Sequence, residues 1–102
     1  MSYVFEWDQA KNLTNQQKHD GISFEEASKV FGDPLHISIQ DRVENGERRW
    51  QTFGEVGGLV LLMVAHTLWE EDEDGEQIEI VRIISARKAT RKERLWYENA
   101  HR

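Results

Sequence analysis

The sequence contains no cysteine, which excludes both a disulfide framework and a thiolate metal site. It has one proline, Pro34, and no Pro- or Ser-rich stretch that reads as a linker. No apolar run approaches the roughly 20 residues of a membrane-spanning helix. The longest, Leu59-Val60-Leu61-Leu62-Met63-Val64-Ala65, has the length of a buried strand. The opening Met1-Ser2-Tyr3-Val4-Phe5-Glu6 lacks the basic and apolar regions of a signal peptide, which points to a cytoplasmic protein with no membrane partner. Charge, by contrast, is plentiful. Of 102 residues, 31% are Asp, Glu, Lys or Arg and 38% are hydrophobic, enough for one core but not two. The expectation is a single domain over 1–102.

The net charge of −6 speaks at first against a nucleic-acid partner. Its distribution speaks differently. Residues 82–102 hold seven basic and two acidic groups, a balance of +5, whereas residues 1–81 hold six basic and 17 acidic groups, a balance of −11. Five of the acids form one run, Glu70-Glu71-Asp72-Glu73-Asp74. Screening decays over about 8 Å in physiological salt, so local sign outweighs total charge. The C-terminal region can hold phosphate while the acidic run faces elsewhere.

A short extended piece, Tyr3-Val4-Phe5, precedes Asp8, the N-cap of a helix reaching about His19, and Gly21 sits where a helix stops. Ser23-Phe24-Glu25-Glu26 reads as a capping box opening a second helix, with Phe24, Ala27, Val30 and Phe31 as its apolar stripe. Gly32-Asp33-Pro34 ends it. From there the punctuation is that of hairpins: Asn45-Gly46, Gly57-Gly58 and Asp74-Gly75 separate strands near 35–43, 47–55, 59–68 and 77–87. In the last strand, simple alternation puts Ile78, Ile80, Arg82, Ile84 and Ala86 on one face and Val81, Ile83, Ser85 and Arg87 on the other. Thr90-Arg91-Lys92-Glu93 is a second capping box, opening a helix to about Ala100. The fold class is α+β: two N-terminal helices, a four-stranded antiparallel meander and one C-terminal helix.

Three stretches stand together: Phe5-Glu6-Trp7-Asp8 with Lys11, Asn15, Lys18 and His19; Ser23-Phe24-Glu25-Glu26-Ala27 with Val30-Phe31 and Asp33-Pro34; and Arg82 through Glu93 with Tyr97 after it. Between them lie Glu47-Arg48-Arg49-Trp50, Phe53-Gly54 and His66-Thr67. In this order and spacing the chain resembles the BrnT toxins over nearly its whole length. It departs from them at the linker Leu68 to Glu76, which is longer and more acidic. The resemblance implies a RelE-like fold and ribonuclease activity that inhibits translation. It also implies a BrnA-like antitoxin with a ribbon-helix-helix DNA-binding part, joined with the toxin in an oligomer.

Metal-independent RNA cleavage needs a base for the 2′-hydroxyl, cations for the phosphorane and an acid for the leaving 5′-oxygen, and no cofactor. Arg87 leads the candidates, because a guanidinium fork matches phosphate oxygens. Arg49 rather than Arg48 is preferred by family position, since the two point to opposite faces. Arg82, Arg91 and Arg94 are further phosphate contacts, though Arg82 among aliphatic neighbours fits a structural ion pair equally well. Lys11, Asn15, Lys18 and His19 recur at helical spacing as a polar face, and asparagine and histidine are poor choices for merely solubilising a helix. Histidine suits acid–base work, which nominates His66 and His19, although a histidine closing an apolar strand is more often a core residue. No metal-ligand spacing exists among the four histidines. Glu93 is either a catalytic carboxylate or the partner of Thr90 in the capping box. Tyr97, one turn on, either meets a base or packs in the core. Trp7 and Trp96 are expected to pin the terminal helices, while an exposed Trp69 would mark a contact surface. The alternative function is a non-catalytic interaction protein that keeps the fold and binds an antitoxin-like partner, favoured by the acidic linker and the total charge.

Overall fold

The computed structural model describes residues 2–100. Strand β1 (Ser2–Glu6) leads to helix α1 (Gln9–Lys18), helix α2 (Phe24–Ser28) and a 3-10 turn (Lys29–Gly32). Strands β2 (Ile37–Glu44), β3 (Glu47–Val56), β4 (Val60–Glu73) and β5 (Glu76–Lys88) follow, and then helix α3 (Arg91–Asn99). The class is α+β as expected, but the sheet has five strands rather than four, in the order β1-β5-β4-β3-β2. The extra strand is the N-terminal piece, which pairs in parallel with β5 from Ser2 opposite Ile78 to Glu6 opposite Arg82. A five-residue segment carries no local sign of a parallel partner at the far end of the chain. Among the described residues no helix is long and apolar enough to cross a membrane.

All three hairpin pairs take positive φ angles, from 52° at Asp74 to 80° at Gly75, as tight turns between twisted strands require. The third of them overturns the reading of residues 68–76 as a linker. Asp74-Gly75 alone is the turn, and Glu70, Glu71, Asp72 and Glu73 pair with Glu79, Ile78, Gln77 and Glu76 as the end of a long ribbon. Acidic residues disfavour strands, and like charges directly opposite repel. The turn nonetheless sets the register, helped by Gln77 Nε2 donating to Glu70 Oε2 at 3.0 Å.

Asp8 caps α1 by accepting from the Lys11 amide at 3.1 Å, and the Thr90–Glu93 capping box is complete. At Ser23 only the serine half forms, its hydroxyl accepting from the Glu26 amide at 3.1 Å. The second helix is also shorter than its apolar stripe suggests, tightening into the 3-10 turn from Lys29. Glycine at 54 makes this packing possible, because a Cβ there would lie 2.8 Å from both the Val30 carbonyl oxygen and Val30 Cγ1. One core lies between the sheet and the N-terminal helices, built on Phe24, Val30, Leu62, Val64, Val81 and Ile83. A second, of Phe53, Leu61, Met63 and Tyr97, lies under α3 on the opposite face. Each fully buried large apolar side chain contributes roughly 1.5–3 kcal/mol. Because α3 covers only one end of that face, the rest of it is open.

Candidate active site

A β-bulge decides which side chains share the open face. Ala65 and His66, consecutive on β4, pair with Ser85 and Ile83, so Ile84 has no partner. The simple alternation expected for β5 therefore breaks there. Thr67, Ala65 and Met63 alternate on one face of β4, and their partners are Arg82, Ser85 and Arg87. Those three thus look out together, while Ile83 and Ala86 both turn into the helix-side core.

The open face carries a polar row across four strands: Arg49 opposite Thr67, Thr67 opposite Arg82, and Arg82 opposite Glu6. With Lys11 of α1, Glu47 and Ile84, the first three line a hollow of about 100 Å³. Of these lining residues, Arg49 and Thr67 each have a buried polar atom with no hydrogen-bond partner, Nε and Oγ1, the only two such side-chain atoms among the described residues. An unpaired buried polar group costs about 1–3 kcal/mol, so an acceptor entering the hollow would recover that cost. Lys11, Arg49 and Arg82 form no ion pair among the described residues. The structural pairing entertained for Arg82 is therefore not found. In the lining of the hollow three cations without ion pairs stand against one carboxylate, Glu47, with Glu6 beyond Arg82, a balance that suits a phosphodiester.

A larger hollow of about 320 Å³ adjoins the first through Lys11 and Ile84, and adds Lys18, His19, Thr14 and Ser85 to the rim. Lys11, Lys18 and His19 are thereby gathered as their helical spacing suggested. Asn15 also borders this hollow but is otherwise engaged. Its amide donates to the carbonyls of Ile22 and Ala86, both at 2.9 Å, and accepts from the Ala86 amide at 3.0 Å. It stands in for the strand that β1 is too short to supply along the edge of β5. This corrects its assignment as a phosphate contact: Asn15 is buried and positions α1. Asn12, also buried, does the same for α2 by accepting from the Phe24 amide at 2.8 Å. Asparagine is indeed out of place on a solvated helix face, and these backbone contacts are the reason.

His66 lies on the opposite face, in the core, only 1% exposed. The Thr67 carbonyl can only accept, so Nδ1 carries the proton at 3.1 Å from it, and Nε2 accepts from the Thr52 hydroxyl at 2.7 Å. Burial pushes the imidazole pKa down to about 4. His66 is thus a neutral core residue whose ring does not face the hollows on the open side.

Arg87 and Glu93 face one another at 2.8 and 3.0 Å in a two-pronged pair, and Glu93 Oε1 also accepts from the Thr90 amide at 2.8 Å. The Arg87 hydrogen bond, the largest cause, holds the Glu93 carboxyl below the ordinary glutamate range. Glu93 thus caps α3 and pairs with Arg87, which clamps α3 to β5 with much of its charge offset. Tyr97 is buried, its hydroxyl donating to Asp33 Oδ2 at 2.6 Å. Burial and then Asp33 hold the phenol well above its usual pKa, so it stays protonated in its bond to Asp33. Arg91 and Arg94 are exposed on α3 and line neither hollow. Trp96 meets Phe53 of β3 edge-on, pinning α3 to the sheet as expected, whereas Trp7 meets Phe24 of α2 edge-on.

Glu47, Thr67 and Ser85 line the two hollows and were not among the sequence candidates. Glu47 was within reach, since it stands two residues before Arg49 and so shares its face. Ser85 was hidden by the bulge.

The family model described as "Ribonuclease toxin, BrnT, of type II toxin-antitoxin system" matches residues 7–93. Among curated proteins, no significant match is found. Among solved structures, the chain is similar to the ribonuclease toxin BrnT of Brucella abortus, at 22% identity and a TM-score of 0.55. That likeness covers 89% of this chain and 100% of the Brucella one, and it bears on the fold.

Proposed function

The chain belongs to the BrnT family of ribonuclease toxins of type II toxin–antitoxin systems, and we propose that the open sheet face around Lys11, Arg49 and Arg82 cleaves RNA without a metal ion. The observation that carries this reading is the hollow itself, lined by Lys11, Arg49 and Arg82, none of them in an ion pair, and by two residues with an unpartnered buried polar atom, Arg49 Nε and Thr67 Oγ1. The scissile phosphate sits there, its developing charge met by fixed guanidinium and ammonium groups. Glu47, the one carboxylate lining the hollow, accepts the 2′-hydroxyl proton as that oxygen attacks phosphorus. The bond from phosphorus to the 5′-oxygen breaks, and His19 in the adjoining hollow protonates the leaving oxygen. Of the described histidines, His66 is in the core and His36 is tied to the Asp33 carbonyl at 2.7 Å, which favours His19 for this step. Lys18 extends the cationic track, and Arg91 and Arg94 attract the RNA from outside it.

A type II toxin implies an antitoxin. On this reading it is a BrnA-like ribbon-helix-helix protein with an acidic segment that covers the same cations, and the two form a joint oligomer. Free toxin then stops translation by cutting RNA. The test is incubation of purified, antitoxin-free protein with end-labelled RNA in EDTA. Products should carry a 2′,3′-cyclic phosphate and a 5′-hydroxyl, and replacing Arg49 and Arg82 together by Gln should slow cleavage by about 10²-fold or more. Activity abolished by EDTA and restored by magnesium, or untouched by the double substitution, refutes the assignment.

A further inference from the structure

We propose that Trp69 is the platform on which one base of the RNA stacks, next to the scissile phosphate. This rests on the reading of the Lys11–Arg49–Arg82 hollow as the phosphate site. Trp69 stands two residues beyond Thr67 on β4 and pairs with Ile80, as Thr67 pairs with Arg82. It therefore lies on the same open face, about 7 Å further along the strand, a separation that suits a base and its neighbouring phosphate. Ile80 in turn pairs with Val4 of β1. Val4, Ile80 and Trp69 thus make an apolar row beside the polar row of Glu6, Arg82, Thr67 and Arg49.

The chemistry of the row fits a nucleobase. Ile80 is buried at its centre, while Val4 is 46% and Trp69 37% exposed, so the two flanking side chains present apolar surface to solvent. Among the described residues Ile80 belongs to neither buried core cluster, and the core under α3 is formed by Phe53, Leu61, Met63 and Tyr97. The indole is held at its edge, Nε1 donating to Glu71 Oε1 at 3.2 Å, a contact that does not use the ring faces. Beyond Trp69 the open face of the ribbon carries Glu71, Glu73 and Glu76, a surface that repels a phosphodiester. An RNA strand can place a neutral base on Trp69 but cannot continue along the ribbon. The acidic extension thereby sets where the bound strand must turn away, and Trp69 takes the last base before it does.

The test is binding and cleavage of a short RNA, with a 2′-deoxy analogue at the cleaved position for the binding measurement. Trp69→Ala should weaken affinity for the analogue and raise KM by roughly 10- to 100-fold, the usual effect of losing one stacked base, with kcat changed far less. Trp69→Phe should recover most of the loss, because a phenyl ring still stacks. An analogue lacking the base at one position should bind the parent and Trp69→Ala proteins alike. Unchanged affinity in Trp69→Ala while Arg49→Gln abolishes binding refutes the platform and leaves the phosphate site standing. Unchanged affinity in both variants overturns both. Normal RNA binding by Trp69→Ala together with lost antitoxin binding would make Trp69 a protein anchor and would also refute the proposal.

Discussion

Replacing His66 by Gln separates its role in the fold from any role in the chemistry. In the folded protein the ring is held neutral with a pKa of about 4, against 6.5 for an unperturbed histidine. The unfolded chain therefore binds a proton between pH 6.5 and 4 that the folded chain refuses, so stability falls as pH falls through this window. The full difference amounts to about 3 kcal/mol, from 1.36 kcal/mol for each unit of displacement. About 1 kcal/mol of it should be gone by pH 5.5 and about 2 to 3 kcal/mol by pH 4.5. The depressed carboxyls of Asp33 and Glu93 act in the same direction but at lower pH, because their contribution is lost only below the ordinary carboxylate pKa. Urea unfolding followed by tryptophan fluorescence at several pH values should show the His66 loss in the parent. It should be missing in His66→Gln, whose amide can still donate to the Thr67 carbonyl and accept from Thr52. Cleavage by folded His66→Gln should match the parent, with the same dependence on pH. A His66 ring titrating near 6.5 by NMR, or a folded variant devoid of activity, would show the reasoning to be wrong.

Asn15→Ala should leave the amide and carbonyl of Ala86 without their partners and lower unfolding free energy by roughly 2–4 kcal/mol, measured in urea, while the folded fraction keeps its RNA affinity. Arg87→Ala should strand the Glu93 carboxylate and cost about 1–3 kcal/mol, with cleavage per folded molecule falling less than for Arg49→Gln. A double-mutant cycle with Glu93→Gln checks this, since near-additive losses would mean that the two-pronged pair is not what holds α3 to β5.

Local chemistry wrote the elements directly into the sequence. Asp8, Ser23 and Thr90 each accept from a helix amide near their own position, and Asn45-Gly46, Gly57-Gly58 and Asp74-Gly75 each reverse the chain within a few residues. Signals of that range need no knowledge of the rest of the chain, so the three helices and four hairpin strands were legible, as were Lys11, Lys18 and His19 as residues sharing a helix face. The tertiary structure decided what depends on distant partners. Parallel pairing made a strand of Ser2–Glu6, the Asp74-Gly75 turn drew an acidic run into a ribbon despite its poor strand propensity, and the unfilled edge of β5 turned Asn15 from ligand to backbone bracket. The bulge at Ile84 matters most, because the faces of a strand repeat every two residues and one extra residue exchanges them for everything beyond it. It alone put Ser85 on the face of Arg82 and Arg49, and no pattern in the sequence of β5 reveals where its partner strand makes it skip.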